Sequence, residues 1–583
     1  MSGPLFTPEQ EAALKAWTQR YPDPAMGLVE ALRDVQRWHG RLSPEAEDWV
    51  AVLFKLPLNR VHGVATFYPF FTAKPAGKHR VCVCRNLSCH RAGSPRMLEH
   101  LRKRLGVPEG EPTPDQLISY QGVECLGACD HAPALSVDDE LVGAASEELL
   151  DEVVDALKAG TPPPSRLRPS APTGPAEGPK LLTGRFSEPE LHRLEVYRRF
   201  GGYSALEKAL RLAPADLRAE VKRSNLRGLG GAGFPTGMKW ETVPSKSQRQ
   251  APHWLVANAD ESEPGCFKDR VLMERDPHAL LEGLAIAAHA IDADGIFIFL
   301  RGEYARQKRI VEAAAAQARE AGLLTRDVWV MQGANAYISG CDTALLETME
   351  GRKAWPRQPP PFPTVSGLLG APTVVNNVET LMMLPAIVRE GAEAFAKLGV
   401  GRSGGTFVFS LSGDVEKPGV YEFPMGTPLS DILRAAGGVR GGRKLKAVIP
   451  GGTSTPVLTA EEAAAARMDF DSIRSAGSFL GAGGLIVLDE TADMAEALFI
   501  IERFLWHESC GQCTPCREGS GWTKRILRRL LEGDGIPEDV GNLRRVAEGV
   551  IGRTICALGD TVGMVAKAMV DKFPEDFQRR VHG

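Results

Sequence analysis

Eight of the chain's eleven cysteines stand in two spaced sets, one on each side of a proline-rich stretch. Any fold of this chain has to bring the members of each set together. The first set is Cys84-x4-Cys89 followed by Cys125-x3-Cys129. Four thiolates carried on two loops can hold the two irons of a [2Fe–2S] cluster. The spacing differs from the plant-ferredoxin pattern, in which several ligands share one loop. Zinc is the nearest rival, although its knuckles prefer closer pairs. The second set is Cys510-x2-Cys513-x2-Cys516 with a remote Cys556. This is the signature of a [4Fe–4S] cluster: a compact loop wraps three irons of a cube, and the fourth ligand arrives from elsewhere. Cys82 shares a strand face with Cys84 and reads as a buried free thiol.

The proline-rich stretch is the main boundary. Residues 160–180 hold seven prolines in 21 positions, which makes a semi-extended linker poor in core residues. Ahead of it, residues 8–71 read as helices, with Leu14, Trp17, Leu28, Leu32, Val35 and Trp38 at mostly helical spacing. His62, inside an aromatic stretch, reads as structural. A strand at 79–84, a helix at 94–105, a strand at 116–121, a return at 134–137 and 141–142, and a helix at 147–158 follow. That order suggests a thioredoxin-like α/β domain. Beyond the linker, helices are expected at 187–200 and 203–212, strands at 254–257 and 295–300, and a helix from Arg301 to about Gly322. Such alternation points to a mostly parallel α/β core. Segments 406–413, 419–423, 429–436 and 447–450 read as a small β-grasp-like unit with no evident chemistry, and the chain is helical from Ala492 onward. The expected class is multidomain α/β. Its units are an N-terminal helical segment (1–78), a thioredoxin-like ferredoxin domain (79–159), the linker (160–186), an α/β domain (187–400), the β-grasp-like domain (401–485) and a C-terminal helical bundle (486–583).

Within the α/β domain lies Gly228-Leu229-Gly230-Gly231-Ala232-Gly233-Phe234-Pro235-Thr236-Gly237-Met238-Lys239-Trp240. Glycines at this density let backbone N–H groups approach a ligand, and phosphate is the usual one. Lys239 adds a charge and Phe234 a flat ring. The spacing of Gly228, Gly230 and Gly233 also fits a dinucleotide fingerprint, which requires a strand before it and a helix after it. A charged, helix-like segment precedes it and Phe234-Pro235-Thr236-Gly237 follows, so that reading fails on context. Downstream, Asn258-Ala259-Asp260-Glu261-Ser262-Glu263 packs acids and amides directly after a strand. These make poor core and suit the hydroxyls of a ribityl or ribose chain. A second glycine-punctuated turn carries Tyr337 and Gly340 ahead of a helix from Asp342, a proline-rich loop carries Phe362, and Asn376-Asn377 supplies another amide pair.

Composition closes off other classes. With 69 basic and 73 acidic residues there is no support for nucleic-acid binding or a polybasic membrane patch. The first residues form no signal peptide and no apolar run reaches membrane-spanning length, so a cytoplasmic protein without membrane insertion is expected.

Together these motifs resemble the NADH-oxidising flavoprotein module of complex I and its relatives, the diaphorase parts of NAD-dependent formate dehydrogenases and bidirectional hydrogenases. Residues 8–158 look like the [2Fe–2S] subunit and residues 187–580 like the subunit bearing FMN and a [4Fe–4S] cluster, fused here through the linker. The resemblance implies an FMN site of Gly228, Gly230, Gly231, Lys239, Asn258, Asp260, Ser262, Tyr337, Gly340, Asn376 and Asn377. It implies stacking of NAD(H) on Phe234 and Phe362, and Glu261 and Glu263 beside the nicotinamide. Hydride would pass between NAD(H) and FMN, and single electrons through the clusters, with no side-chain acid or base. Three positions depart from the family pattern: Leu229, Cys341-Asp342 in place of a Glu-Glu pair, and Pro359 in place of a lysine. Asp342 would still face the nucleotide ribose. The chain shows no quinone site, molybdopterin motif or nickel-binding cysteine pair. A partner is therefore expected: foremost a molybdenum or tungsten iron–sulfur subunit like that of formate dehydrogenase, then a hydrogenase or complex I-like subunit.

Overall fold

The computed structural model describes residues 4–167 and 178–581. Part of the expected linker, 168–177, lies outside the described residues. Its earlier portion runs along the ferredoxin domain, where the Arg166 N–H donates to the Val142 carbonyl at 2.7 Å.

Four helices open the chain: Pro8–Trp17, Leu28–His39, Pro44–Phe54 and Leu58–Phe67. The first begins on a capping box of Thr7 with Gln10 and the third on Ser43, which accepts from the Ala46 N–H. These helices pack on the α/β domain of residues 187–400, the flavin-type domain of the resemblance. Arg60 donates to the carbonyls of Gly351 and Glu350, Arg33 to that of Gly333, and the Tyr68 hydroxyl to that of Arg352.

The next sheet has the order Ile118–Val123, His79–Cys84, Ala134–Val137, Glu140–Ala144. The first two strands are parallel and the rest antiparallel, as a thioredoxin-like fold requires. The strand expected at 116–121 begins two residues later, because Gln116 takes a left-handed backbone (φ 58°) in the preceding turn.

Beyond the linker, the expected helix at 187–200 forms only from Leu194 to Arg199. Pro189 interrupts it and Glu190 is left-handed (φ 57°). The central sheet is wholly parallel, ordered Asp327–Gln332, Gly295–Leu300, Trp254–Ala259, Thr373–Asn377. Asp327–Gln332 is a strand that the sequence reading did not single out. Arg301–Tyr304 is a turn and its helix starts at Ala305, so Arg301 stands at the carboxyl end of its strand, outside the helix. The chain builds outward from Trp254–Ala259 on one side and later returns to its other side. A reversal of this kind opens a crevice at the carboxyl ends of the strands.

Thr406–Gly413, Gly419–Pro424, Leu445–Ile449, Leu458–Thr459 and Gly484–Asp489 form the β-grasp-like sheet. Its central strand Gly484–Asp489 runs past the expected boundary at 485. Five helices from Met494 to Gln578 complete the chain.

A fully buried cation joins the two sheets. The Lys268 ammonium lies 3.0 Å from Asp269 and 2.6 Å from Glu379, and the other Glu379 oxygen accepts from the Val408 N–H. The contact with Glu379 is an ion pair without hydrogen-bond alignment. Burial pushes the Glu379 carboxyl up to about 7, opposed by Lys268. Replacing Lys268 by Met leaves two acids buried without their cation. Chemical denaturation of that variant should show a loss of about 3–5 kcal/mol.

Candidate functional site

The site residues gather at the carboxyl ends of the parallel strands. Asn258 and Ala259 end one strand and are followed by Asp260–Glu263; Arg301 follows the next; Gly333 and the turn to Gly340 follow the third; Asn376 and Asn377 end the fourth. The glycine loop lies against this last strand. It is a closed turn, with the Gly228 N–H donating to the Phe234 carbonyl, flanked by helices Pro214–Arg223 and Thr236–Glu241. The Trp240 indole N–H donates to Asn376 and the Leu229 N–H to Thr380, which seat the loop over the strand end. A Cβ on Gly230 would fall 2.7 Å from Asn377 Cβ, so only glycine allows this approach. Phe234 and Phe362 are exposed, at 53% and 61%. Leu229, expected as a departure, is buried.

The acidic loop is held from several sides. The Asn258 amide donates to the Gly340 carbonyl at 2.8 Å, and the Ser262 hydroxyl donates to Asp260 at 2.5 Å. Burial pushes the Asp260 carboxyl up to about 7. Glu261 accepts from the N–H groups of Asp269 and Arg270, at the start of helix Lys268–Arg275, and from the Tyr304 hydroxyl. Its carboxylate thus accepts three hydrogen bonds from the protein. Glu263 accepts from the Tyr337 hydroxyl at 2.7 Å, the Ser454 N–H at 2.8 Å and the Thr453 hydroxyl. The β-grasp-like unit, read from sequence as lacking chemistry, thus supplies two of that carboxylate's three donors. Lys239 and Asp342, expected to meet different ligand groups, pair with each other at 2.9 Å, and Lys239 also donates to the Val375 carbonyl.

The two cysteine sets flank this crevice. Cys84 ends its strand and Cys125 follows the parallel neighbour, so both loops emerge at one edge of the thioredoxin-like sheet. Cys84, Cys89, Cys125 and Cys129 are all buried. The Gly127 N–H donates to Cys125 Sγ and the Ala134 N–H to Cys89 Sγ, both at 3.4 Å. Cys129 and Cys84, then Arg301, hold the Cys125 thiol well below its ordinary value. Buried sulfurs facing one another with backbone donors aimed at them fit an anionic cluster. Among the described residues, no three His, Cys, Asp or Glu side chains converge on a point fit for a single ion. In the other set, Cys513 and Cys556 stand at the N-termini of helices Thr514–Glu532 and Ala557–Lys572, where the dipole favours negative charge. The Ile555 N–H donates to Cys513 Sγ, and the Ser509 hydroxyl lies 3.3 Å from Cys516 Sγ. Cys510 completes this set and is half-buried.

A cavity of about 180 Å³ separates the ferredoxin domain from the crevice, lined among others by Cys82, Cys125, Ser262, Arg301, Tyr337 and Glu508. Cys82 is thus half-buried on a cavity wall, which corrects the expectation of a core thiol. Two connections were invisible in the motifs. Glu508, two residues before Cys510, accepts from the Tyr337 N–H. Arg301 donates to the Cys125 carbonyl at 2.6 Å and the Glu261 carbonyl at 2.8 Å. The one available signal for Arg301 was a charge placed directly after a buried strand.

Comparison with known proteins agrees with this layout. Family models match in four places: the Nuo51 FMN-binding domain at 221–386, the thioredoxin-like [2Fe-2S] ferredoxin at 14–158, the SLBB domain at 408–474 and the NADH-ubiquinone oxidoreductase-F iron-sulfur binding region at 496–580. The NADH-quinone oxidoreductase F 2 subunit of Rhizobium meliloti (strain 1021) is 48% identical over 408 residues, 68% of this chain and 96% of the relative. The NADH-quinone oxidoreductase F subunit of Streptomyces coelicolor is 44% identical over 412 residues, 69% of this chain and 91% of the relative. A crystal structure of an NAD+-reducing [NiFe]-hydrogenase in the air-oxidized state covers 95% of this chain and 94% of its own, with a TM-score of 0.85 and 31% identity.

Gly230→Ala should push Asn377 out of place without unfolding the chain. Purified protein is expected to keep its circular dichroism and its iron while losing about nine-tenths of its flavin, measured as the flavin-to-protein ratio.

Proposed function

The chain belongs to the family of NADH-quinone oxidoreductase F subunits, and from that membership we propose that it is an NAD(H)-linked diaphorase that relays electrons to or from a partner subunit. The observation that carries this reading is the convergence of three sites on one crevice. The glycine loop and acidic loop lie at the strand ends, with Arg301 reaching Cys125 on one flank and Glu508 reaching Tyr337 from the other.

In this reading the glycine loop presents N–H groups to the FMN phosphate, with Lys239 as its cation. Asn258, Asp260, Ser262, Asn376 and Asn377 order the ribityl chain and ring edge. Phe234 and Phe362 offer exposed rings for the nucleotide to stack on. Cys84, Cys89, Cys125 and Cys129 ligate the [2Fe–2S] cluster, and Cys510, Cys513, Cys516 and Cys556 the [4Fe–4S] cluster. When bound, the flavin supplies hydride exchange with NAD(H) and the clusters supply single-electron transfer. The protein's own work is to position these groups and to keep water from the thiolates. With both oxygens held by the protein, Glu261 acts as an anchor of the loop, and Glu263 likewise.

The partner is proposed as a catalytic subunit of a larger complex, of the formate dehydrogenase, hydrogenase or complex I-like type. Sequence reading gives first place to a molybdenum or tungsten subunit of the formate dehydrogenase type. The likeness to the hydrogenase chain weighs toward a hydrogenase-type assembly, because it spans both halves of the fused chain. No described helix is long and apolar enough to cross a membrane.

A second reading, an electron carrier that has lost its nucleotide, draws on two observations. Lys239 and Asp342 satisfy each other, and Pro359 brings no ammonium where the family pattern has one. Losing one charge-assisted contact costs roughly 1.5–3 kcal/mol, about ten- to hundredfold in affinity. A loose but working NAD(H) site is therefore expected. Stopped-flow mixing should show NADH bleaching the flavin, with a weaker response to NADPH. Bleaching by dithionite but not by millimolar NADH would favour the second reading.

A further inference from the structure

The geometry points to Arg301 as the residue that sets the reduction potential of the [2Fe–2S] cluster from outside the ferredoxin domain. This rests on assigning that cluster to Cys84, Cys89, Cys125 and Cys129.

Arg301 belongs to the flavin-type domain, yet its guanidinium is spent on the cluster loop. Nη2 donates to the Cys125 carbonyl at 2.6 Å, and Nη1 approaches Cys125 Sγ at 3.9 Å. Nη1 also donates to the Glu261 carbonyl at 2.8 Å. The remaining edge meets a carboxylate: Nε to Glu303 Oε2 at 2.7 Å and Nη2 to Glu303 Oε1 at 2.9 Å. A planar fork with donors on every side fits this arrangement, and an ammonium cannot reproduce it. The side chain is only 4% exposed, so water does not screen its charge.

Other charges beside the cluster loops are paired among themselves: Glu124 lies 3.1 Å from Arg85 and 3.4 Å from Arg503. Arg270 reaches the same loop through the Gly127 carbonyl, but both Asp130 oxygens take its Nη2, each at 2.7 Å. Glu303 is the counter-charge of Arg301 and shares its buried wall of the cavity. Adding an electron to a [2Fe–2S] cluster adds one negative charge to the thiolate set. A cation and an N–H aimed at a ligand sulfur stabilise that reduced state. Arg301 therefore raises the potential, and Glu303 trims the effect.

The full-length protein carrying Arg301→Gln, Arg301→Lys or Glu303→Gln is titrated anaerobically, with EPR reading both clusters. The [4Fe–4S] signal serves as the internal reference. Arg301→Gln should lower the [2Fe–2S] reduction equilibrium about tenfold, or about 59 mV for a one-electron couple. Arg301→Lys should fall less, and Glu303→Gln should shift the other way. A merely structural latch would not give opposite signs from the two charges. An unmoved [2Fe–2S] potential in Arg301→Gln, or an equal shift in both clusters, overturns the inference. Should Arg301→Gln shed its cluster, Glu303→Gln decides alone, and the absence of an upward shift there is equally fatal. Wild-type protein with no [2Fe–2S] signal would overturn the cluster assignment itself, and the inference with it.

Discussion

The loop Asp260–Glu263 has to bury carboxylates, and how they are satisfied ties the chain together. Glu261 is held by the start of helix Lys268–Arg275 and by Tyr304. Glu263 is held by Tyr337 and by the β-grasp-like turn at Thr453 and Ser454. The Glu261 carbonyl takes Arg301, which also grips the Cys125 loop. A buried carboxylate without donors costs several kcal/mol. The donors come from four separate stretches of the chain: Asp269–Arg270, Tyr304, Tyr337 and Thr453–Ser454. The α/β domain and the β-grasp-like unit meet at this loop, and Arg301 carries the connection on to the ferredoxin domain.

This explains why a unit without chemistry of its own matters to the site. The β-grasp-like sheet also receives the ferredoxin domain. Arg91 donates to Asp414 and Asp489, and Ser88 pairs with Ser412 at 2.9 Å. These contacts tie Cys89's helix to a rigid sheet. The N-terminal helices do the same for the opposite side, through Arg60, Arg33 and Tyr68. Fusion of the two halves in one chain keeps these partners at high effective concentration.

Spacing picked out Cys84/Cys89, Cys125/Cys129 and the group at Cys510–Cys516, while the fold closes the long gaps to Cys125 and to the remote Cys556. The glycine loop was legible because close approach excludes a Cβ, as Gly230 against Asn377 shows. Strand and helix order followed from periodicity. What escaped reading depends on contacts distant in sequence. Glu261 and Glu263 look alike in sequence, and only the fold reveals that each accepts three hydrogen bonds from distant protein groups. Arg301 and Glu508 belong to no motif, since each acts on a partner more than a hundred residues away. Cys82 alternates correctly with Cys84, but it faces a cavity that the ferredoxin domain shares with residues distant in sequence, among them Arg301 and Tyr337.

Three redox centres in one folded chain imply a definite electron capacity. The direct measurement is an anaerobic dithionite titration of the purified protein, followed by flavin absorbance and iron–sulfur EPR together. Uptake of about four electrons per chain is predicted, two at the flavin and one at each cluster. Uptake of about two, confined to the flavin, or zinc in place of iron at Cys84, Cys89, Cys125 and Cys129, would contradict it.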